Sequence, residues 1–548
     1  MSYCDIILQN VTIVKKIRKG GLNMAGYPYL DVVVYNNFYE MLHSVYGKTP
    51  EEIAIRYREK ETIRDISYRE MLEETTSFYF YLKNKGLENK HIGILSENRY
   101  EYLTIYFATV FQNVIAPMDK ENVPENLWKQ IHDFDISVVF YTDKTAHLVE
   151  SFQTSEEVEF INIDEVYSDI IEDKQSIDLL WEEIKDTDSD RFCVLGFTSG
   201  TTGDVKGAML TQRNVTACLR GALQNNVLKS PSLAVLPMNH TYGFNPGILC
   251  TLYNGGTICL TVELKHFQRD LKEYNPYFVS MVPMIAEGVY KKILAEAKRQ
   301  KKDKLLQRMI KVSNFLLKFK IDIRRMLFGN LINKRLKFIS CGGAPLNPYY
   351  VDRYMELGIY LLNGYGLTEC APLICINREF DMDSESVGTI IKEVDAKIAD
   401  DGEILIKGPN VMLGYYKNPE ATAECMVDGY FKTGDYGYLK ERRLYVTGRK
   451  KNLIILDNGK NVLPEMIEAK LSNLDWIKEC IVTTRRVNDN RILVALIYTE
   501  EAPEDIQADI DRINESLPEY MRLADYELMD KEFEKNSTKK ILRNKYGE

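Results

Sequence analysis

The sequence predicts an α/β protein: a large N-terminal domain of mostly parallel βαβ sheets, followed by a small α+β domain. Three observations carry this expectation. Apolar runs of strand length alternate with amphipathic stretches of helix length through the first half, the pattern of βαβ units. The chain has 548 residues, more than one hydrophobic core accommodates. The character also changes near Thr447, where a short polar, basic stretch at 448–452 separates two strand-like runs, 444–446 and 453–456. The predicted domains are therefore 1–447 and 448–548.

The elements follow in order. Residues 92–95 (Ile-Gly-Ile-Leu) form a short apolar strand, 100–111 read as a helix, and 113–117 and 136–141 as strands. Another apolar run, 192–195, leads into a glycine-rich loop. Residues 291–337 interleave basic side chains with Leu305, Leu306, Met309, Ile310, Phe315, Leu316, Phe319, Ile321 and Ile323 at a roughly helical spacing. This reads as an amphipathic helical arm packed on its own domain with a solvated basic face, in preference to peripheral contact with an anionic membrane. In the last domain 491–499 reads as a strand and 504–517 as a helix.

Composition narrows the function. Hydrophobic residues make up 45% and charged residues 27%, as in ordinary globular proteins. A net charge of -10 argues against general nucleic-acid binding, which needs a cationic surface. The ten cysteines include no CxxC pair, and Cys370 and Cys375 lack downstream partners for a metal site. They read as reduced, buried thiols. The apolar segment 6–14 is interrupted by Gln9, Asn10 and Thr12 and is too short to cross a bilayer; its basic residues follow it rather than precede it. A cytoplasmic protein is expected.

The most informative stretch is Phe197-Thr-Ser-Gly-Thr-Thr-Gly-Asp-Val-Lys-Gly207. Gly200 and Gly203 let the backbone turn its N–H groups outward, as a polyphosphate cradle requires. Thr198, Ser199, Thr201 and Thr202 add hydroxyls, and Lys206 adds a cation. A Walker A loop is excluded, because no Gly-x4-Gly-Lys-Ser/Thr spacing is present. Here the chain resembles the adenylate-forming superfamily of acyl-CoA synthetases, adenylation domains and luciferases, with Val205 where that family's loop has proline.

The resemblance continues in order along the chain. Pro237-Met-Asn-His240-Thr-Tyr-Gly243 is similar to the segment lining the family's acyl pocket. Ser340-Cys-Gly-Gly-Ala-Pro345 resembles the loop beside adenine and the acyl channel, giving Gly342, Gly343 and Ala344 a place there. Gly364-Tyr-Gly-Leu-Thr-Glu369 is intact: Tyr365 offers a stacking face to the purine, Gly366 borders the nucleotide and the acyl group, Thr368 reaches the α-phosphate, and Glu369 offers a hard oxygen to magnesium. The resemblance puts His240, Gly343 and Gly366 in the acyl pocket. Tyr430-Phe-Lys-Thr-Gly-Asp435 matches the ribose motif through Asp435. In Gly448-Arg-Lys-Lys-Asn-Leu-Ile454, Arg449 approaches the nucleotide and Lys451 occupies the hinge, with Asn452 replacing a commoner acid. Gly459, Lys460 and Asn461 resemble the thiol-acceptor side, and Ser537-Thr-Lys-Lys-Ile-Leu-Arg543 places the family's catalytic lysine at Lys540.

The resemblance implies ATP and Mg2+ as requirements and coenzyme A as co-substrate. A carboxylic acid, most like a medium- or long-chain fatty acid, becomes an acyl-adenylate and then a thioester. Lys540, Glu369, Thr368 and Lys206 are the expected catalytic groups. Loading of a separate acyl carrier protein, or use of an aryl or short-chain acid, is the alternative.

Overall fold

The computed structural model describes residues 28–198, 205–488, 490–535 and 541–547. A seven-stranded sheet contains five strands in parallel succession: Phe192–Thr198, Val114–Pro117, His91–Leu95, Ile136–Tyr141 and Glu159–Asn162. Strands covered on both faces read as continuous apolar runs, which is why 92–95 and 136–141 stand out in the sequence. Helix Tyr100–Val110 joins two of them and buries ten of its eleven residues, all but Glu101.

A larger sheet lies in the same part of the chain. Six of its strands run parallel: Ile53–Glu59, Ile258–Leu260, Ser232–Ala234, Phe278–Met281, Phe338–Cys341 and Tyr360–Gly366. Beyond Tyr360–Gly366 the sheet continues antiparallel, through Leu373–Ile376, Gly388–Ile390, Arg443–Arg449, Tyr430–Lys440, Glu403–Lys407 and Asp395–Ile398. This antiparallel extension was not anticipated. Its connections are mostly turns and loops, with the short helix Pro419–Cys425 between Glu403–Lys407 and Tyr430–Lys440, and the edge strand Asp395–Ile398 alternates exposed and half-buried residues. The segments 364–369 and 430–435, expected to meet a nucleotide, fall on this extension and at its junction with the parallel strands.

The C-terminal part is α+β. Strands Glu479–Val487 and Asn490–Tyr498 are antiparallel, Asp525–Met529 pairs parallel to the second, and helices Pro464–Leu471 and Ile506–Glu515 cover them. Val462, Ile467, Leu471, Leu493, Ala495 and Ile510 form a core of their own. The arm at 291–337 consists of helices Pro283–Arg299, Asp303–Leu317 and Arg324–Phe328. Eight of the nine described cysteines are buried and all nine are free thiols. Among the described residues no helix is long and apolar enough to cross a membrane.

Candidate active site

The strands on either side of the glycine-rich segment pair with each other. Strands Phe192–Thr198 and Lys206–Thr211 are antiparallel with Thr198 opposite Lys206 and Phe197 opposite Gly207, so the two ends of the loop are held side by side. Thr198 Oγ1 donates to the Lys206 carbonyl at 3.4 Å. Ser199, Gly200, Thr201, Thr202 and Gly203 lie outside the described residues. Thr368 closes against the same stem: a Cβ on Gly196 would come within 2.6 Å of Thr368 Cγ2.

Two groups from distant parts of the sequence then meet. The Tyr415 hydroxyl donates to Glu369 Oε1 at 2.8 Å, and Lys206 Nζ lies 5.0 Å from the centroid of the same tyrosine ring. Cation, ring and carboxylate form one row, with the cation on a face that attracts it. Burial and then the negative charge of Glu369 push the Tyr415 phenol up, so it stays a donor. Tyr415 is fixed by its strand Gly414–Tyr415, which pairs with Met209 and Ala208 beyond the loop. No trio of His, Cys, Asp or Glu converges on a metal position among the described residues. A single half-buried carboxylate suits magnesium that arrives on a polyphosphate better than a resident ion in a protein cage.

The second cluster is the buried carboxylate Asp435, 2% exposed. The Tyr365 hydroxyl donates to its Oδ2 at 2.7 Å and Arg449 Nε stands 3.2 Å from its Oδ1. The register puts Asp435 directly opposite Arg449 in the hairpin Tyr430–Lys440 and Arg443–Arg449. Burial, reinforced by the Asp435 charge, raises the Tyr365 phenol well above its ordinary range, so the ring is anchored by a lasting O–H donor.

Gly366 is sterically obligatory. A Cβ there would sit 1.7 Å from the Pro372 carbonyl oxygen, deep inside contact distance with backbone. Gly366→Ala is expected to lower the thermal midpoint by several degrees and to reduce ATP–pyrophosphate exchange at least about 10²-fold, because Thr368 and Glu369 move with the strand end. A variant with native melting and native exchange would show that this close approach is not needed.

Gly342, Gly343 and Ala344 follow strand Phe338–Cys341. A Cβ on Gly342 would stand 3.2 Å from the Gly364 carbonyl and 3.2 Å from the Tyr242 ring, and Gly343 has φ +82°. Of the segment 237–243, Tyr242 packs on this loop, while His240 precedes the short helix Thr241–Phe244 and its carbonyl accepts the Phe244 N–H at 2.9 Å. A small apolar cavity of about 30 Å³ begins at the same strand ends. Ser340, Cys341 and Gly364 line it on one side and Cys218, Leu219 and Ala222 on the other. The last three project from helix Gln212–Asn225, which leaves the loop hairpin through a capping box of Thr211 and Asn214. His240, Gly343 and Gly366 are each two positions from a lining residue but do not line the cavity themselves.

Around Lys451 the turn Lys450–Asn452 is held on both sides. Lys450 Nζ contacts Asp401 at 2.6 Å and Glu403 at 2.8 Å, and these carboxylates hold its ammonium above the ordinary range. Asn452 Nδ2 donates to Glu465 Oε1 at 2.5 Å. Gly459, Lys460 and Asn461 form the exposed end of a small hairpin, in which Ile454–Ile455 pairs with Asn461–Val462 and Gly459 has φ +75°. Lys540 lies outside the described residues, but both flanks are placed. Lys535 and Ile541 form a bridge, the Leu542 N–H donates to the Glu534 carbonyl at 2.9 Å, and Arg543 pairs with Glu468.

The structure therefore gathers Thr198, Lys206, Thr368 and Glu369 around one row and Tyr365, Asp435 and Arg449 around another. Sequence reasoning missed Tyr415, Glu403 and the cavity helix. Cys218 and Ala222 are spaced i, i+4 on an amphipathic helix and look like any core contact. Tyr415 sits in a tyrosine pair that signals nothing locally.

Comparison with known proteins agrees with this geometry. A family model described as AMP-binding enzyme matches residues 42–416. The long-chain-fatty-acid–CoA ligase FadD15 of Mycobacterium bovis is 28% identical over 74% of this chain and 72% of its own length. Long-chain-fatty-acid–CoA ligase 5 of Rattus norvegicus is 26% identical over 91% of this chain and 81% of its own. O-succinylbenzoate coenzyme A synthetase (MenE) from Bacillus subtilis, in complex with ATP and magnesium ion, has the same fold with a TM-score of 0.72 at 21% identity, covering 92% of this chain and 98% of that one.

Proposed function

Since the chain belongs to the AMP-binding enzyme family, we propose that it is an AMP-forming acid–thiol ligase that joins a medium- or long-chain fatty acid to coenzyme A. In the first step a carboxylate oxygen of the acid attacks the α-phosphorus of ATP and pyrophosphate leaves with the electron pair of the broken P–O bond. In the second the CoA thiolate attacks the acyl carbon, the C–O bond to AMP breaks, and AMP leaves. The observation that carries this reading is the meeting, at the ends of Phe338–Cys341 and Tyr360–Gly366, of an apolar cavity with the strand end that bears Tyr365, Thr368 and Glu369.

Each residue has a definite task in this reading. The buried Asp435 accepts from the ribose hydroxyls, while its bonds to Tyr365 and Arg449 fix both its carboxylate and the ring on which the purine stacks. The loop hairpin and Lys206 hold the outer phosphates, and the Thr368 hydroxyl reaches the α-phosphate. Magnesium, carried in with ATP, neutralises phosphate charge when bound, and Glu369, oriented by Tyr415, is the carboxylate that holds it. No general base is required, because the acid is already ionised near neutral pH. Lys540 supplies an ammonium to the charge that builds on the α-phosphate. Residues 448–548 form the mobile part, Lys451 the hinge, and Gly459, Lys460 and Asn461 the side that meets the thiol. We place the reaction in the cytoplasm, where ATP and CoA are available.

AMP release from ATP and Mg2+ with a panel of fatty, aryl and amino acids, with and without CoA, tests the proposal. CoA-dependent AMP release with a medium or long fatty acid supports it. Acid-dependent pyrophosphate exchange without CoA-dependent AMP points to a carrier protein as acceptor, and a preference for aryl or short acids moves the substrate class. If neither reaction occurs with any acid, the catalytic reading fails.

The cavity gives a sharper expectation. Ala222 is buried and lines this small cavity, so in the proposed reading the acyl chain widens the space on entry and Ala222→Phe blocks it. The kcat/KM for long acids is expected to fall at least about tenfold relative to short ones, with the ATP KM unchanged. Equal loss across chain lengths would mean that the chain runs elsewhere.

A further inference from the structure

Helix Asp303–Leu317 has two apolar faces where an ordinary packed arm has one. Leu306, Ile310 and Ser313 are buried, and the first two belong to the core on which the helix packs. On another side of the helix Leu305, Val312 and Phe315 are 52%, 53% and 58% exposed, and their i, i+7, i+10 spacing puts them in one stripe. The stripe continues past the helix end into Phe319, 63% exposed, whose ring lies 5.3 Å from that of Phe315, and Ile321, 51% exposed. Five large apolar side chains in succession, two of them phenylalanine, are more than the scattered exposure of a usual surface.

The surroundings specify what covers them. Residues 291–337 contain sixteen Lys and Arg but three Asp and Glu, in a chain whose net charge is -10. Lys304, Arg308 and Lys311 flank the stripe by helical geometry, and Lys318 and Lys320 alternate with Phe319. All five are exposed, and none makes an ion pair among the described residues. A water-soluble protein partner would be matched by an apolar face or by an acidic one. A surface that sets phenylalanine rings among cations suits acyl chains beneath anionic headgroups. We propose that the outward face formed by Leu305, Val312, Phe315, Phe319 and Ile321 docks this protein on anionic phospholipid bilayers, with Lys304, Arg308, Lys311, Lys318 and Lys320 at headgroup level. It departs from the expectation of an arm whose exposed surface is only a solvated basic face. It stands on the arm alone and does not depend on the ligase reading.

The test is co-flotation of the full chain, without nucleotide or acid, with vesicles of phosphatidylcholine and with vesicles that also contain phosphatidylglycerol. Binding is expected only to the anionic vesicles and is expected to weaken as salt rises. The double variant Phe315→Ser, Phe319→Ser and the triple variant Lys304→Glu, Lys311→Glu, Lys318→Glu should each lower binding at least about tenfold, with native melting, because all five positions are exposed. Wild-type protein that stays unbound at low salt overturns the proposal. So does native binding by the phenylalanine variant, which would leave a diffuse electrostatic attraction. Concentration-dependent dimerisation in sedimentation, abolished by the phenylalanine substitutions, would also overturn it and make a second copy the occupant.

Discussion

Lys540→Ala is expected to slow acyl-adenylate formation by about 10²–10³-fold while leaving thioester formation from a supplied acyl-adenylate close to the native rate. The asymmetry follows from where charge develops. In the first step it gathers on the oxygens of the α-phosphate, and a positioned ammonium stabilises that transition state. In the second the thiolate attacks an acyl carbon, and the phosphate charge already exists. The strand-like contacts Lys535–Ile541 and Glu534–Leu542 draw together the two ends of the segment that contains Lys540. The pairing of Arg543 with Glu468 ties that segment to the C-terminal sheet. ATP–pyrophosphate exchange and single-turnover thioesterification separate the two steps. Lys539→Ala is the control, since Lys539 stands where the resembling family has glycine. Equal loss in both steps, or loss in the Lys539 variant instead, would remove Lys540 from its assigned role.

Asp435→Asn is expected to raise the KM for ATP by roughly 10²-fold with a smaller change in kcat, the signature of lost ground-state binding. An amide keeps the volume but gives up the charge facing Arg449 and one of the two acceptor oxygens. Tyr365 then has to share the remaining oxygen with the ribose, or lose its anchor. Because Asp435 is almost wholly buried, the melting temperature should fall as well, and calorimetric titration with a non-hydrolysable ATP analogue distinguishes weak binding from partial unfolding. Native nucleotide affinity in a stable variant would show that this carboxylate does not face the ribose.

How much of this was legible depended on how local the cause was. Residues 136–141 are an apolar run buried on both faces, and the strand Ile136–Tyr141 has those bounds. The glycine-rich loop announced itself because glycine and hydroxyl spacing is a property of consecutive residues. The row from Lys206 through Tyr415 to Glu369 was not legible, since three segments create it and Tyr415 has no motif around it. The cavity is further still from the sequence: it is the space left between a helix that follows the loop and the ends of later strands, and its lining side chains are individually ordinary. The arm at 291–337 was read as helical from its spacing, but periodicity alone left unsaid that its apolar residues divide between an inner and an outer face.

The register that sets Asp435 opposite Arg449 has a mechanical consequence. With Lys451 as the pivot proposed above, the strand that carries Arg449 runs straight into the turn that holds the fulcrum, and a single residue, Lys450, separates Arg449 from the pivot. A departing nucleotide therefore needs no relay of side chains to be felt at the joint. Releasing Asp435 frees Arg449, and the next residue along is the one gripped by Asp401 and Glu403. On the proposed reading, torque about the joint and occupancy of the ribose site become two readings of the same short segment.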